Sequence, residues 1–420
     1  MTAATLPTRA ARVARQGVQR ERGPLAYPLL VSVVALVALG VVMVYSASSV
    51  RSYFASADAS AQGVQQAIWA VLGLSTMLIL SRLDFRLLRH LAIPGLLLSL
   101  ALLGAVLIPG IGIGVSGSRR WLVLPLIGAV QPAEMAKLAI CVYLAHWLDR
   151  RGHEARGFAH GFVPFALLVG PGFLLIALEP DLGTAGVYAT AALAIFFVSG
   201  ANLLYFSALA GSVIAAAVAM VLATPYQLQR VHAFLDPFSD PLRSGYNAVQ
   251  ALLALGTGGL LGLGLGASRQ KFLYLPAPST DFIFAIIGEE WGLVGTLAVL
   301  GLFVLIAYHG YRIAIHAPDT FSGLLAAGLT TWLVVQAAIN MMVVTALLPV
   351  TGIPLPFISY GGSALIVNLA AVGILLSISR EATRTGTLLH AVFGVRRRDR
   401  GPRAPRAGRR PGPAPRATRA

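Results

Sequence analysis

The sequence predicts an all-α polytopic membrane protein of about ten transmembrane helices, with both termini cytoplasmic. Three observations carry that reading. Hydrophobic residues fill 57% of the 420 positions and charged residues only 11%, whereas soluble domains carry about 25% charged residues. Apolar runs near twenty residues, the length a helix needs to cross a bilayer, recur along the whole chain. The basic residues, which give a net charge of +16, are concentrated on alternate loops and in the two tails.

The ten spans are expected at roughly 27–46, 64–81, 87–108, 131–148, 162–178, 184–200, 203–222, 282–307, 321–347 and 360–379. No small-residue cleavage site ends the first, so it reads as a retained span and not a signal peptide. The fourth is the least apolar, with Glu134 and Lys137 in its first turn and His146 at its end. Of the 32 basic residues, 24 fall on the side that holds both tails, 7 on the other, and Lys137 lies within a span. By the positive-inside rule the tails are cytoplasmic. Three regions follow: a basic N-terminal tail over 1–26, a membrane domain over 27–380, and an Arg/Pro-rich tail over 381–420 that reads as disordered. Such a tail beside a span is expected to contact anionic lipid and not nucleic acid. The loop over 223–280 is the only long external one. Loops of that length are commonly functional, and short or re-entrant helices are expected within it, around Tyr246 to Leu255.

Composition also excludes chemistries. Cys141 is the single cysteine, so there is no internal disulfide and no multi-cysteine metal site. Of eight histidines only His232 lies outside, which excludes a histidine metal centre on the outer face. A divalent cation (Mg²⁺ or Mn²⁺) held with substrate phosphates stays open. The glycine patterns at 112–117 and 262–267 lack the βαβ context that a dinucleotide site requires.

Charges at the membrane edge are costly and are therefore functional candidates. Asp281, in STDFIFAIIGEEWG where the long loop re-enters the membrane, suits a general base if desolvation raises its pKa. A helix N-cap built from Ser279, Thr280 and Asp281 explains the same residues equally well. Glu289 and Glu290, two turns on, favour a structural hydrogen bond between helices. Glu134 and Lys137 share a helix face at i, i+3 and can pair. Lys137 and Lys271 are the only lysines among 32 basic residues, so these positions are expected to need a compact ammonium. Arg119, Arg120 and Trp121 combine phosphate-gripping and interfacial side chains. EPDLGTA (179–185) and PLPFISYGGSA (354–364), which includes Ser359, read as packing or cavity-lining turns. Taken alone these residues fit a polymerase or transferase acting on a lipid phosphate, a transporter, or a lipid flippase.

The ordered set VYSASS (44–49), RWL (120–122), QPAEMAKLA (131–139), EPDLGTA, FLDPFSDPLRSGYNAVQALLALGTGGLLGLGLGASRQKFLYLP (234–276), TDFIFAIIGEEWGLVG (280–295) and PFISYGGSALIVNL (356–369) resembles the SEDS family, named for shape, elongation, division and sporulation. VMVYSASS is closer to its FtsW-like division branch than to its RodA-like elongation branch. The resemblance implies an inverting peptidoglycan glycosyltransferase that polymerises lipid II, with an undecaprenyl-diphosphate-linked glycan strand as donor. It implies Asp281 as the general base. Lys271, Arg269, Lys137 and Arg120 are then expected at the diphosphate, with Glu134, Trp121 and Ser359 completing the substrate site. The implied partners are a class B penicillin-binding protein transpeptidase and other divisome proteins, at the division septum of the bacterial cytoplasmic membrane. The chain departs from the family pattern at Ala277 and Ser279, where a carboxylate and a histidine are common, at Glu179 for glutamine and at Ala133 for serine. The first two departures place more weight on Asp281. A lipid II flippase and an elongation-branch polymerase are the alternative readings.

Overall fold

The computed structural model describes residues 26–115, 118–124, 128–152, 154 and 157–381. The tails on which disorder and lipid contact are expected lie outside the described residues, apart from their innermost positions.

In chain order the elements are helices α1 (Ala26–Ser56), α2 (Ala61–Arg82) and α3 (Leu88–Leu107), strands β1 (Gly112–Val115), β2 (Ser118–Leu124) and β3 (Gly128–Val130), and helices α4 (Pro132–Arg151), α5 (Val163–Leu178), α6 (Leu182–Val198) and α7 (Leu203–Ala223). Two short helices follow, α8 (Pro225–Leu235) and α9 (Tyr246–Gly258), and then α10 (Ile283–Ile315), α11 (Thr320–Val344) and α12 (Gly362–Glu381). Among the described residues, ten long helices thus stand where ten spans are expected. Eight are long and apolar enough to cross a membrane. The other two are special for physical reasons. α6 has only 17 residues, at the short limit for a span. α4 carries Glu134, Lys137, Asp149, Arg150 and Arg151, too many charges for a lipid-facing helix. Both pack among neighbours: α4 against α3, α6 and α11, and α6 against α4, α5 and α11.

Sequence chemistry sets the helix ends. Pro132 and Pro225 open α4 and α8, where a missing N–H costs nothing. Asp181 caps α6 by accepting from Thr184 N–H at 3.0 Å. Asp319 and Ser322 form a capping box on α11. α11 lies at the centre, packed by α10, α6 and α4, with α12 beside it and against α2. α7 is peripheral, with Leu209 its one buried residue.

The external segments hold two departures from expectation. Residues between α3 and α4, expected as a plain loop, form an antiparallel meander ordered β1-β2-β3. The long loop contains α9, as expected around Tyr246, and also α8, an amphipathic helix that the sequence reading did not single out.

That loop is built into a break in α10. At Gly292 the backbone leaves the helix (φ 66°, ψ −160°), and a break at membrane depth is tolerated only where its polar groups are paired. The glycine-rich stretch supplies the partners. Leu263 and Gly264 N–H donate to the carbonyls of Glu289 and Glu290 at 3.0 Å, while Leu293 and Val294 N–H donate to those of Gly259 and Leu260 at 2.9 and 3.2 Å. Such close backbone approach leaves no room for side chains: a Cβ on Gly262, which sits at φ 81°, would lie 2.2 Å from the Glu290 carbonyl oxygen. Replacing Gly262 by Ala is therefore expected to combine left-handed strain with a backbone clash, costing about 2–4 kcal/mol. A thermal melt of the detergent-purified variant, read by size-exclusion recovery, should show a lowered midpoint; an unchanged midpoint would contradict this account of the break.

Candidate active site

The site forms where the long loop meets the start of α10. The turn 277–281 is fastened through three successive carbonyls. Tyr360 N–H donates to Ser279 O at 2.8 Å, Ser359 Oγ donates to Thr280 O at 2.6 Å, and Asn340 Nδ2 donates to Asp281 O at 2.8 Å. Each clamp is itself held. Asn340 donates its other amide proton to Ile353 O at 2.8 Å, and Ser359 Oγ accepts from Leu355 N–H at 2.8 Å. With its backbone fixed, Asp281 does not cap α10. The N-cap position is Phe282, and no side chain caps the helix there. The half-buried carboxyl is left to face the site.

Around it stand Asp181, Arg120 and Arg230. Arg120, on β2, donates through Nε to Glu179 O at 3.1 Å and through Nη2 to Pro180 O, and its Nη1 pairs with Asp181 at 3.4 Å. Gln131, just before α4, donates to the same Asp181 oxygen at 3.4 Å. Arg230, on α8, donates to Val350 O at 2.9 Å and to the Tyr226 hydroxyl at 2.5 Å, with its guanidinium 4.5 Å from that ring's centre. Gly352 lines the space between: a methyl group there would meet Asp281 Oδ2 at 3.7 Å and Arg120 Nη1 at 4.0 Å. Burial, with Asp181 adding to it, pushes the Asp281 carboxyl up to about 6, against the opposing pull of Arg230 and Arg120. A carboxyl titrating there is largely ionised at neutral pH yet basic enough to take a proton. Arg230 also borders a cavity of about 370 Å³ that Arg243, Tyr226 and Val350 share. Beside Phe284 and Met341, an apolar groove of about 480 Å³ runs along α10 and α11.

The two lysines lie deeper and are fully engaged. Lys137, 1% exposed, donates to Glu134 at 2.7 Å and Gln336 at 2.6 Å and stacks 5.0 Å above the Trp332 ring. Gln336 lies one turn of α11 before Asn340, so this buried group sits directly beneath the Asp281 turn, on the same side of the membrane. Lys271 approaches Glu290 at 3.5 Å and Ser46 at 3.4 Å and donates to Gly266 O. Glu290 accepts from Ser46 at 2.6 Å, and Glu289 accepts from Ser268 Oγ and, at 2.9 Å, from Arg269 N–H. Glu289 and Glu290 thus tie the loop to the broken helix, the structural role their depth favoured. The Arg269 side chain is exposed. Trp121 is partly buried and follows Arg120 on β2, so it projects from the opposite face of the sheet; Arg120 alone reaches the Asp181 group. Ser359 acts on the backbone beneath Asp281. Sequence reasoning passed over Arg230, Asn340 and Gly352, and read the turn that holds Asp181 as packing or cavity-lining, not as a direct neighbour of Asp281. The signal for Arg230 was the amphipathic run after Pro225.

Among the described residues no three His, Cys, Asp or Glu side chains gather as metal ligands. Asp281 and Asp181 are already faced by two guanidinium groups, so the donor set is no protein cage for a divalent ion.

Glu179 is a neighbouring anomaly. It is 1% exposed, and neither carboxyl oxygen has a partner among the described residues. Burial, with Asp181 close by, pushes it up to about 8 against the pull of Arg120. A neutral acid has the shape and charge of the glutamine expected at this position. The folded state holds this proton more tightly than the unfolded chain, so the stability it contributes is complete below about 4.5 and is lost as pH rises through about 8. Glu179→Gln removes that loss. Melting of wild type and variant at pH 6 and pH 9 should show the variant ahead at pH 9 by at least about 1 kcal/mol, roughly 2–4 °C; parallel behaviour at both values would contradict a buried neutral acid.

The family profile described as "Cell cycle protein", covering FtsW, RodA and SpoVE, matches residues 27–384. Stage V sporulation protein E of Bacillus subtilis is 41% identical over 352 residues, covering 84% of this chain and 96% of that protein. A probable peptidoglycan glycosyltransferase FtsW of Geobacter sulfurreducens is 41% identical over 351 residues, covering 84% and 94%. Among solved structures, one of a peptidoglycan synthase complex, described as coordinating polymerization and crosslinking, superposes with a TM-score of 0.68 at 33% identity, covering 84% of this chain and 97% of that one. The rod shape determining protein RodA of Thermus thermophilus superposes with a TM-score of 0.61 at 31% identity, covering 85% and 97%. With its membrane domain matched end to end and its helical architecture shared, the chain belongs to the FtsW/RodA/SpoVE family of multi-pass membrane proteins, the SEDS family.

Proposed function

We infer that the protein is a peptidoglycan glycosyltransferase of the FtsW type, polymerising lipid II at the outer face of the cytoplasmic membrane with Asp281 as general base. The observation that carries this reading is the clamped Asp281 turn, which presents a carboxyl titrating near 6 beside two arginines.

The chemistry assigns a task to each group. The acceptor's 4-hydroxyl attacks the anomeric carbon of the growing strand, and the new β-1,4 C–O bond forms as the bond from that carbon to the diphosphate breaks, with inversion. Asp281 takes the hydroxyl proton as the oxygen becomes nucleophilic, then returns it to solvent. The departing lipid diphosphate gains negative charge, which preorganised cations stabilise far better than water does. Arg120 and Arg230 flank the carboxyl and are assigned that role, with Arg243 at the adjoining cavity. Lys137 and Lys271, expected at the diphosphate, have their ammonium groups committed to Glu134, Gln336 and Glu290. They are assigned to hold the walls of the site. The apolar groove beside Phe284 and Met341 suits a lipid tail.

The relatives named FtsW favour septal synthesis in division, and the superposition on a synthase complex supports a penicillin-binding transpeptidase as partner. Purified with such a partner and supplied with lipid II, the wild type is expected to produce glycan strands. Asp281→Asn should lower that rate by about 10³-fold or more, the order of a lost general base, with an unchanged melting midpoint. Full activity in Asp281→Asn would remove the assigned base. Because the base works only when ionised, the wild-type rate should also fall about tenfold per pH unit below 6; a flat profile between pH 5 and 7 would contradict the assignment.

A further inference from the structure

A second built site lies on the opposite face of the membrane. α4 has 20 residues, so it spans about 30 Å. Its outer end adjoins the Asp181 group through Gln131, and its inner end, with the start of α3, lines a cavity of about 360 Å³. Arg86, Arg89, His90, His146, Asp149 and Arg150 form the walls. The lining carries three arginines and one carboxylate, Asp149, and Arg86 and Arg89 are already paired with carboxylates. Arg86 pairs with Glu381 at 2.7 Å and with Asp84 at 3.6 Å. Arg89 reaches Asp149 at 3.3 Å and Asp319 at 3.4 Å through one nitrogen, while its buried Nε has no partner among the described residues. His146 is 9% exposed, and its Nδ1 is likewise buried without a partner. Arg150 enters no ion pair among the described residues.

An apolar groove lies one turn of α4 away, from Val142 of the groove to His146 of the cavity. Its walls include Leu88, Leu91 and Gly95 of α3 and Met135, Ala139 and Val142 of α4, around about 230 Å³. On α4, positions 135, 138, 139 and 142 of the groove and 146, 149 and 150 of the cavity follow the spacing of three and four that defines one helix face. Groove and cavity therefore lie along one face of α4 over about 22 Å, longer than the ~15 Å half-thickness of the hydrocarbon core.

We propose that this cavity and groove together bind one anionic phospholipid of the inner leaflet, its phosphate among Arg86, Arg89, His146 and Arg150 and an acyl chain along α3 and α4. A phosphate at this cavity supplies acceptor oxygens to the guanidinium groups that line it, which arginine grips bidentately. The position at the cytoplasmic interface favours a lipid over a soluble anion, because only a lipid fills both the basic mouth and the apolar groove. This site is separate from the basic tails and from the outer catalytic groups.

The test uses the full chain, delipidated in detergent and exposed to phosphatidylglycerol, phosphatidylcholine, lipid II or inorganic phosphate, with bound lipid counted by native mass spectrometry and stability read by thermal melting. Phosphatidylglycerol should be retained and should raise the midpoint, with phosphatidylcholine and inorganic phosphate giving little. Arg86→Gln with Arg150→Gln should weaken retention by about fivefold per arginine. Gly95→Leu is the second variant: a Cβ there meets nothing within 4 Å, so the fold accepts it while the groove is filled. Retention should fall again with the empty protein's midpoint unchanged. The proposal is overturned if phosphatidylcholine is held equally, if both variants retain phosphatidylglycerol like wild type, if inorganic phosphate stabilises as much as the lipid, or if lipid II displaces phosphatidylglycerol from this face.

Discussion

The structure depends on one constraint: the backbone carbonyls of Ser279, Thr280 and Asp281 must each find a donor at the membrane edge, where water is scarce. Tyr360, Ser359 and Asn340 provide them. An unpaired buried carbonyl costs about 1–3 kcal/mol, so the arrangement is strongly preferred over a frayed turn. It also fixes where the Asp281 side chain projects, since a fixed backbone leaves only a few staggered rotamers. The placement of the Asp281 carboxyl is a by-product of backbone satisfaction, drawn from α11 and the 354–360 segment that leads into α12.

The same pressure explains the two lysine clusters. A lone charge inside the bilayer is expensive, and each lysine in this chain is enclosed by a carboxylate and neutral acceptors. Lys137 joins α4 to α11 through Glu134 and Gln336, one turn beneath Asn340. Lys271 joins the long loop to α1 and the broken α10 through Ser46 and Glu290. A compact ammonium with three donors fits such three-sided cages, whereas arginine's planar fork does not. The arginines serve instead at Arg120 and Arg230, where backbone carbonyls orient the guanidinium and one side remains open.

Much of this was legible in the sequence. Twenty-residue apolar runs located the ten long helices of the described residues, because bilayer thickness sets a length that is a property of the linear chain. Asp281, Glu134 with Lys137, and the helix around Tyr246 were legible for the same reason: each stands out locally. Arg230, Asn340 and Gly352 were not, since their meaning is a distance to residues far along the chain. The direction of Lys271 was hidden likewise. Only the fold shows that it faces Glu290 and not an open cavity. The Gly-rich stretch was visible as a pattern, but its use as backbone partner to the Gly292 break required the three-dimensional pairing.

The central claim is that the three-carbonyl clamp positions Asp281 for proton transfer. Steady-state polymerisation of lipid II by Asn340→Ala and Ser359→Ala, each purified with the transpeptidase partner, tests it most directly. Misplacement of a reacting group by about 1 Å can cost about 10²-fold. The account predicts kcat reduced by 10- to 100-fold on that basis, with KM for lipid II unchanged and the rate still falling below pH 6. Wild-type kcat in both variants, with the fold intact, would contradict it.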